Sequence, residues 1–469
     1  MNARPFLALA AACALAGCAM GPDYVRPALE TPAAFKEAGT WKLAQPADTL
    51  PRGKWWSIFG DPVLDGLLAQ VEISNLNVAQ AEAQFRQARA TAAGARAGLF
   101  PTLGASAGRT RAQAASAAAG TGAVATTYSF GLDAGWELDV WGRVRRTVEA
   151  GEARARASEA DLAGALLSAQ AELALNYFSL RITDAQKRTF DETVAGYERS
   201  LQLTRNRYTA GVASRADVVQ AEAQLLSARA QGIDLASQRA QLEHAIALLV
   251  GKAPANFSLP ADGSFPKAPE VPLAVPSSLL ERRPDIAAAE RRVAAANAQV
   301  GAAKAAFFPT LELSANGGFR SPGLTDWFTL PHRFWSIGPS LALSVFDAGL
   351  KRSQSDSAIA AYDQSVAAYR LTVLNALSDV EDALVSLRVL SEEEGVQRDA
   401  LRAARESVAL TLNQYKAGTV SYLNVVLVQA SAFSEERAAL AIRSRQLAAS
   451  VALVRSLGGG WTAPAPASR

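Results

Sequence analysis

Apolar residues along this chain follow two rhythms, and each rhythm occurs twice. Stretches in which Ala, Leu and Val recur every three or four positions predict helices over about Asp61–Gly98, Arg143–Thr209 and Ser214–Val250. The same order returns over Pro284–Ala306, Leu350–Ala417 and Ser421–Leu457. The longest stretch covers more than sixty residues without a proline. At ~1.5 Å of rise per residue it would extend on the order of 100 Å. That length predicts a coiled-coil-like or tubular architecture rather than an ordinary globular helix.

Between the helices the period falls to two. Tyr128, Phe130, Leu132, Ala134, Trp136 and Leu138 alternate with Ser129, Gly131, Asp133, Gly135 and Glu137. Ile337, Pro339, Leu341, Leu343 and Val345 alternate with Gly338, Ser340, Ala342 and Ser344. Leu311, Leu313 and Ala315 form a third set, and Thr102–Arg111 a weaker fourth. Such a stretch suits a transmembrane barrel strand, and equally a soluble strand packed on a core. Four strands make two hairpins, 102–138 and 310–346, too few to close a membrane barrel, for which roughly eight is the minimum. An open sheet edge in lipid leaves backbone groups unpaired at several kcal/mol each. Strands in a membrane therefore require several chains. Phe100, Phe307, Phe308, Trp136, Trp141 and Trp335 stand where interfacial girdles are expected. Ala112–Thr127 and Arg320–Phe334 are expected as surface loops.

The doubling is a tandem duplication. Tyr208-Thr209-Ala210-Gly211 returns as Tyr415-Lys416-Ala417-Gly418, 207 positions later, and Ser179-Leu180-Arg181 returns as Ser386-Leu387-Arg388 at the same spacing. Phe100-Pro101-Thr102-Leu103 returns as Phe308-Pro309-Thr310-Leu311. The repeats span 61–251 and 284–457, each holding a helix, a β-hairpin and a long helical hairpin with its tip near 211 or 418. Gly211 and Gly418 suit the left-handed residue that ends a helix. Ser214 and Ser421 follow as expected N-caps, and Asp217 completes an S-x-x-D capping pattern. The proline-rich segments 18–60 and 252–283 are predicted to pack around the helical body, since proline excludes long helices there. Residues 458–469 form a short irregular tail.

The first seventeen residues change the setting. Arg4 precedes an apolar run from Phe6 to Ala16, too short to span a bilayer. Ala14-Leu15-Ala16 passes as an ordinary cleavage site, whereas Leu15-Ala16-Gly17-Cys18 resembles a bacterial lipobox that leaves Cys18 as a lipid-bearing N-terminus. An acylated cysteine anchors through roughly 0.8 kcal/mol per buried methylene. No later stretch is apolar enough for a transmembrane helix.

Composition removes other classes. The 469 residues carry 47 Lys and Arg against 44 Asp and Glu, so the net charge of +3 and the lack of basic blocks disfavour nucleic-acid binding. Both cysteines, Cys13 and Cys18, lie in the first eighteen residues, which excludes cysteine redox or metal chemistry in the body. His244 and His332 sit in different elements, and no metal spacing, nucleophile elbow or phosphate loop occurs, so no enzymatic activity is expected.

Met20-Gly21-Pro22-Asp23-Tyr24-Val25-Arg26-Pro27 after a lipobox resembles the start of OprM-like outer-membrane factors. Leu279 to Ile286, running into Ala305-Ala306-Phe307-Phe308-Pro309, is similar to a segment of the NodT subgroup of that TolC/OprM-like family of efflux channel lipoproteins. With the two Tyr-x-Ala-Gly tips, the resemblance covers essentially the whole mature chain. It implies a mainly α fold with membrane β: a homotrimer whose twelve strands close an outer-membrane barrel, continued by a long periplasmic α-helical barrel. The implied function is the exit duct of a tripartite efflux system. Its implied partners are a periplasmic adaptor (a membrane fusion protein), an inner-membrane pump of the RND type and outer-membrane lipid. The covalent lipid on Cys18 is the only attached group expected, with no cofactor and no metal. The other reading of the pattern is a lipid-anchored periplasmic coiled-coil protein without a pore, which needs no amphipathic strands.

The resemblance also singles out residues. Asp217 resembles a tip aspartate that bonds between neighbouring helices, and its local pattern makes it a cap for Ser214. Tyr415 resembles a tip tyrosine that holds the closed state, and also suits plain helix packing. Family members often place aspartates in the equivalent turn of the second repeat, forming an acidic constriction. Asn424 and Leu427 stand there in this chain, which predicts weaker cation selectivity. Gly211, Val212, Gly418 and Thr419 are the expected adaptor contacts.

Overall fold

A computed structural model describes residues 19–28, 54–113, 124–266 and 283–459. Its helices are α1 (Pro62–Ser74), α2 (Leu76–Ala97), α3 (Arg143–Thr209), α4 (Arg215–Leu249), α5 (Pro284–Ala305), α6 (Leu350–Ala417) and α7 (Tyr422–Ser456). Its strands are β1 (Thr102–Gln113), β2 (Val124–Leu138), β3 (Thr310–Ser321) and β4 (Arg333–Ala342). Cys18, most of the 18–60 segment, residues 267–282 and the tail from 460 lie outside the described residues. Among the described residues no helix is long and apolar enough to cross a membrane.

Two compact units emerge. The first gathers the described residues of Met1–Ala28 with Gln84–Glu159 and Ala288–Arg370, and so holds all four strands. They form one antiparallel sheet in the order β1-β2-β3-β4, leaving β1 and β4 as open edges. The strands run further than alternation alone indicates: β1 reaches Gln113, β2 begins at Val124, β3 reaches Ser321 and β4 begins at Arg333. Both expected loops shorten accordingly, because ladder pairing continues through Ala112 and Gln113, opposite Ala125 and Val124, and through Arg320 and Ser321, opposite Ser129 and Tyr128. At its other end β4 stops at Ala342, short of the expected Val345. Pro339 lies in β4 opposite Leu313.

Residues 19–28 are held in this unit by paired contacts. Met20 N donates to Trp141 O at 3.0 Å, Arg146 Nη2 donates to Asp23 Oδ1 at 2.7 Å, and Tyr24 Oη donates to Glu290 Oε1 at 2.6 Å. Burial, and then the Glu290 carboxylate, push the Tyr24 phenol above its ordinary range. Trp141 stacks on Phe308 at 4.7 Å and donates its indole N–H to Pro309 O at 2.9 Å.

The second unit comprises the described residues of Leu29–Ala83, Ala160–Ala287 and Leu371–Arg469. Its larger core packs Trp55, Trp56, Leu64 and Leu68 against Tyr177, Ile246 and Leu447. Here the expected single helix over Asp61–Gly98 is corrected to two. Asn75 adopts an extended backbone, and its Oδ1 accepts from Asn77 N and Val78 N at 2.9 and 3.1 Å, capping α2. Its Nδ2 donates to Leu249 O at 2.8 Å, so the break is fixed by a distant carbonyl. Asp61 caps α1 with Pro62 as the first helical residue, and also accepts from Tyr177 Oη at 2.7 Å.

The start of the proline-rich linker lies on α3 and α4. Asp184, which is buried, accepts from Arg239 Nε at 2.7 Å and from Asp262 N at 3.1 Å. Arg239 Nη2 donates to Leu259 O at 2.7 Å, and Arg181 Nη1 to Pro260 O at 2.9 Å. Extended backbone with no ladder partner is thus satisfied by side chains of the helices.

Candidate functional site

In the rows from Leu103 to Leu138 the sheet divides by face, while further along Arg109 and Arg333 join the apolar face. Leu103 lies opposite Ala134, Ala134 opposite Ala315 and Ala315 opposite Ile337. Trp136, Leu313 and Pro339 make the next row of that face, and Leu138, Leu311 and Leu341 another. On the opposite face Gly104, Asp133, Asn316 and Ser336 share one row, and Glu137, Glu312 and Ser340 another. The apolar face is open: Leu103 is 75% exposed and Trp335 72%. A continuous exposed apolar face of this size needs an apolar surround.

The two helical hairpins turn in the same way. Gly211 and Gly418 have φ of +74° and +79°, the left-handed region in which a side chain is strained. Val212 N donates to Arg207 O at 2.9 Å, and Thr419 N to Gln414 O at 3.0 Å, closing each helix end with the same reversed bond. Gly211, Val212, Gly418 and Thr419 are exposed.

The following caps differ. Ser214 Oγ accepts from Asp217 N at 3.1 Å, while Asp217 Oδ2 accepts from Ser214 N and Ser214 Oγ, each at 2.9 Å. Ser421 makes no side-chain cap bond, which corrects the expectation of matched caps. Asn424 occupies the repeat position of Asp217, so no carboxylate stands at this helix start. The bonds found for Asp217 thus stay within its own helix start. Asn424 is exposed, and Leu427, on the same face of α7, is 58% exposed.

Tyr415 is interior, only 3% exposed, and packs with Tyr422 at 5.5 Å between ring centres. Its hydroxyl donates to Thr204 Oγ1 at 3.3 Å. Burial first, then the nearby Tyr415, Tyr197 and Asp217, push the Tyr422 phenol up to about 12. Sequence reasoning missed Arg207. Its guanidinium lies 4.8 Å from the Tyr415 ring centre and donates to Tyr415 O at 2.9 Å and Lys416 O at 3.3 Å. It thereby caps the last turn of α6 from the other hairpin, joining the two tips. The only available signal was its place beside Tyr208, since the repeat puts Gln414 at the matching position.

The family described as outer membrane efflux protein matches residues 67–252 and 275–459. The chain is 32% identical over 452 residues to the toluene efflux pump outer membrane protein TtgC of Pseudomonas putida, covering 95% of this chain and 93% of that one. It is 32% identical over 465 residues to the pyoverdine export outer membrane protein OpmQ of Pseudomonas aeruginosa, covering 97% of each. Its fold is similar to that of the outer-membrane channel OprN, with a TM-score of 0.86 at 32% identity, over 95% of this chain and 100% of that one. With a duplicated match over most of its length and a channel's fold, the chain belongs to the outer membrane efflux protein family.

Proposed function

We propose that this chain is the outer-membrane exit duct of a tripartite efflux system. It conducts small molecules passively from a periplasmic adaptor and an inner-membrane pump, of the RND type, to the exterior. The observation that carries this reading is the four-stranded sheet with one open apolar face, one polar face and two unpaired edges. Lipid covers the apolar face, and water lines the other. The edges are satisfied when β4 of one copy pairs with β1 of the next, and three copies supply twelve strands and a closed wall. A spacer without a pore needs no such face.

Cys18 carries lipid and holds the chain to the outer membrane, two residues before Met20 is fixed at Trp141. The tips at Gly211, Val212, Gly418 and Thr419 meet the adaptor, since exposed small residues allow close approach. Asp217 and Tyr415 steady the tip, and Asn424 and Leu427 give it a neutral constriction. The relatives named for toluene efflux and pyoverdine export support a duct whose cargo is chosen elsewhere.

Planar-bilayer conductance and mass in detergent test the reading together. Stepwise conductance from a particle of three chains is expected, and a non-conducting monomer would sink the duct. Labelled palmitate should enter the chain but not its Cys18→Ser variant; label retained in the variant removes the anchor assignment. A photo-cross-linker at Val212 or Thr419 that captures no adaptor in cells would take these residues out of the docking surface.

A further inference from the structure

Charge on the sheet is sorted by face and by end. The acids of its strands, Asp133, Glu137 and Glu312, all lie on the polar face. Arg320, opposite Ser129, is on that face too. The other strand arginines are on the apolar face: Arg109 opposite Tyr128, Arg111 opposite Thr126 and Arg333 opposite Phe319. All three are exposed. They gather at the end of the sheet remote from the helices, which join it at Thr102, Leu138, Thr310 and Ala342. No acid on their own face offsets them. The turn 114–123 holds none, and the turn 322–332 holds only Asp326.

The same end of the same face is aromatic. Trp327, from the turn between β3 and β4, lies 5.9 Å from Tyr128 between ring centres. Phe328 lies 5.8 Å from Phe130 and 5.4 Å from Phe319, and stays 61% exposed. The Arg109 guanidinium lies 5.8 Å from the Tyr128 ring centre. An arginine among lipid tails is strongly disfavoured at mid-depth and tolerated at the interface, so height decides its meaning. Barrel strands tilt by roughly 40° and rise ~3.3 Å per residue. The path from Leu103 therefore climbs about 15 Å to Arg109 and about 20 Å to Arg111, against an apolar band ~25 Å tall. The arginines thus reach the outer border of the band, where head groups begin.

We infer that Arg109, Arg111 and Arg333, beside this aromatic shelf, form a binding site for phosphorylated lipid head groups of the outer leaflet. A guanidinium matches phosphate with two parallel hydrogen bonds, and the rings take the apolar part of the same lipid. A phosphomonoester suits three uncompensated cations better than a zwitterionic head group, which carries its own cation. Arg109 and Arg111 lie on one edge strand and Arg333 on the other. Pairing of β4 with β1 of the next copy brings the two sets to one seam, so a closed wall offers one such site per seam. The inference rests on the duct reading above and names the lipid chemistry that its outer rim selects.

Native mass spectrometry of the full chain in detergent tests it, with lipid A, its monophosphorylated form and phosphatidylcholine as probes. Lipid A is expected to bind tightest and phosphatidylcholine weakest. Replacing any one of the three arginines with Gln should weaken lipid A binding about fivefold, the rough worth of one cationic side chain at an anionic surface. The matching Lys variants should keep most of the binding. Arg320→Gln, on the polar face, should leave it unchanged. Excess inorganic phosphate should displace little of the bound lipid; full displacement would give the site to free phosphate and overturn the lipid assignment. Equal loss in Arg320→Gln, or no loss in the three Gln variants, overturns the assignment of residues. Where a Gln variant does not assemble, the ranking of the three probes by the unaltered chain decides. A conducting trimer that binds all three lipids equally overturns this inference and leaves the duct standing. A non-conducting monomer overturns both.

Discussion

Replacing Asn424 with Asp tests why the two tips differ. At the first tip, one carboxylate accepts two hydrogen bonds from Ser214, and Ser214 Oγ accepts a third from Asp217 N. At the second, Ser421 has no side-chain cap bond, and Asn424 N reaches only Ser421 O at 3.2 Å. Asn424→Asp supplies the missing acid at the matched position. A completed cap contributes about 1 kcal/mol, and a carboxylate near a helix start roughly 0.3–1 kcal/mol more. Asn424 is exposed, so solvent screening sets the gain near the lower end, about 1 kcal/mol per copy. Hydrogen exchange at the start of α7 should slow about fivefold, with the first tip as an unchanged internal reference. Three added carboxylates at the proposed constriction should also move the reversal potential in a salt gradient toward cation preference. Exchange at the second tip that is unchanged or faster would refute the claim that the missing acid leaves Ser421 uncapped. Strong cation preference in the unaltered chain, abolished by changing Leu427, would refute the neutral constriction.

Asp184→Ala should cost about 3 kcal/mol of local stability, the lower end for breaking a buried pair, because Arg239 keeps its bond to Leu259 O. Faster exchange of the Asp262 amide, which donates to Asp184, reports it, with Asp184→Asn intermediate; full protection in the Ala variant would count against the network. The Tyr422 phenol is pushed up to about 12 in the fold from an ordinary value of 10.0, so the folded state favours its neutral form. That stabilisation is complete below pH ~10 and is lost as pH rises through about 12. Tyrosinate absorbance and tip exchange should therefore rise together in that window and be reduced in Tyr422→Phe; identical alkaline transitions in both proteins would remove Tyr422 from the account.

Much of this architecture is written locally. The Tyr-x-Ala-Gly repeats mark both tips because a left-handed turn needs glycine whatever surrounds it, and Ser214 with Asp217 caps its helix through neighbours in sequence. What stayed hidden depends on partners far along the chain. Asn75 ends α1 with the help of Leu249 O, and Arg207 acts on carbonyls of the other hairpin, so neither has a local signature. The strands outrun their alternation because hydrogen bonding across the ladder, not side-chain polarity, carries Arg109 to Gln113. Ser421 has the sequence of a cap, but Asn424 lacks the acid that completes it at Ser214.

The open edges at β1 and β4 also set an order of events in time. A lone copy that entered the hydrocarbon would bring two rows of unpaired amides and carbonyls with it, so insertion and assembly become one step. The rate of that step rises steeply with how many copies meet at the membrane surface. The proposed lipid on Cys18, two residues ahead of the fixed Met20, would confine that search to a plane. On this view the anchor acts chiefly during assembly, and its loss should show first as slow channel formation at low expression, while finished channels conduct normally.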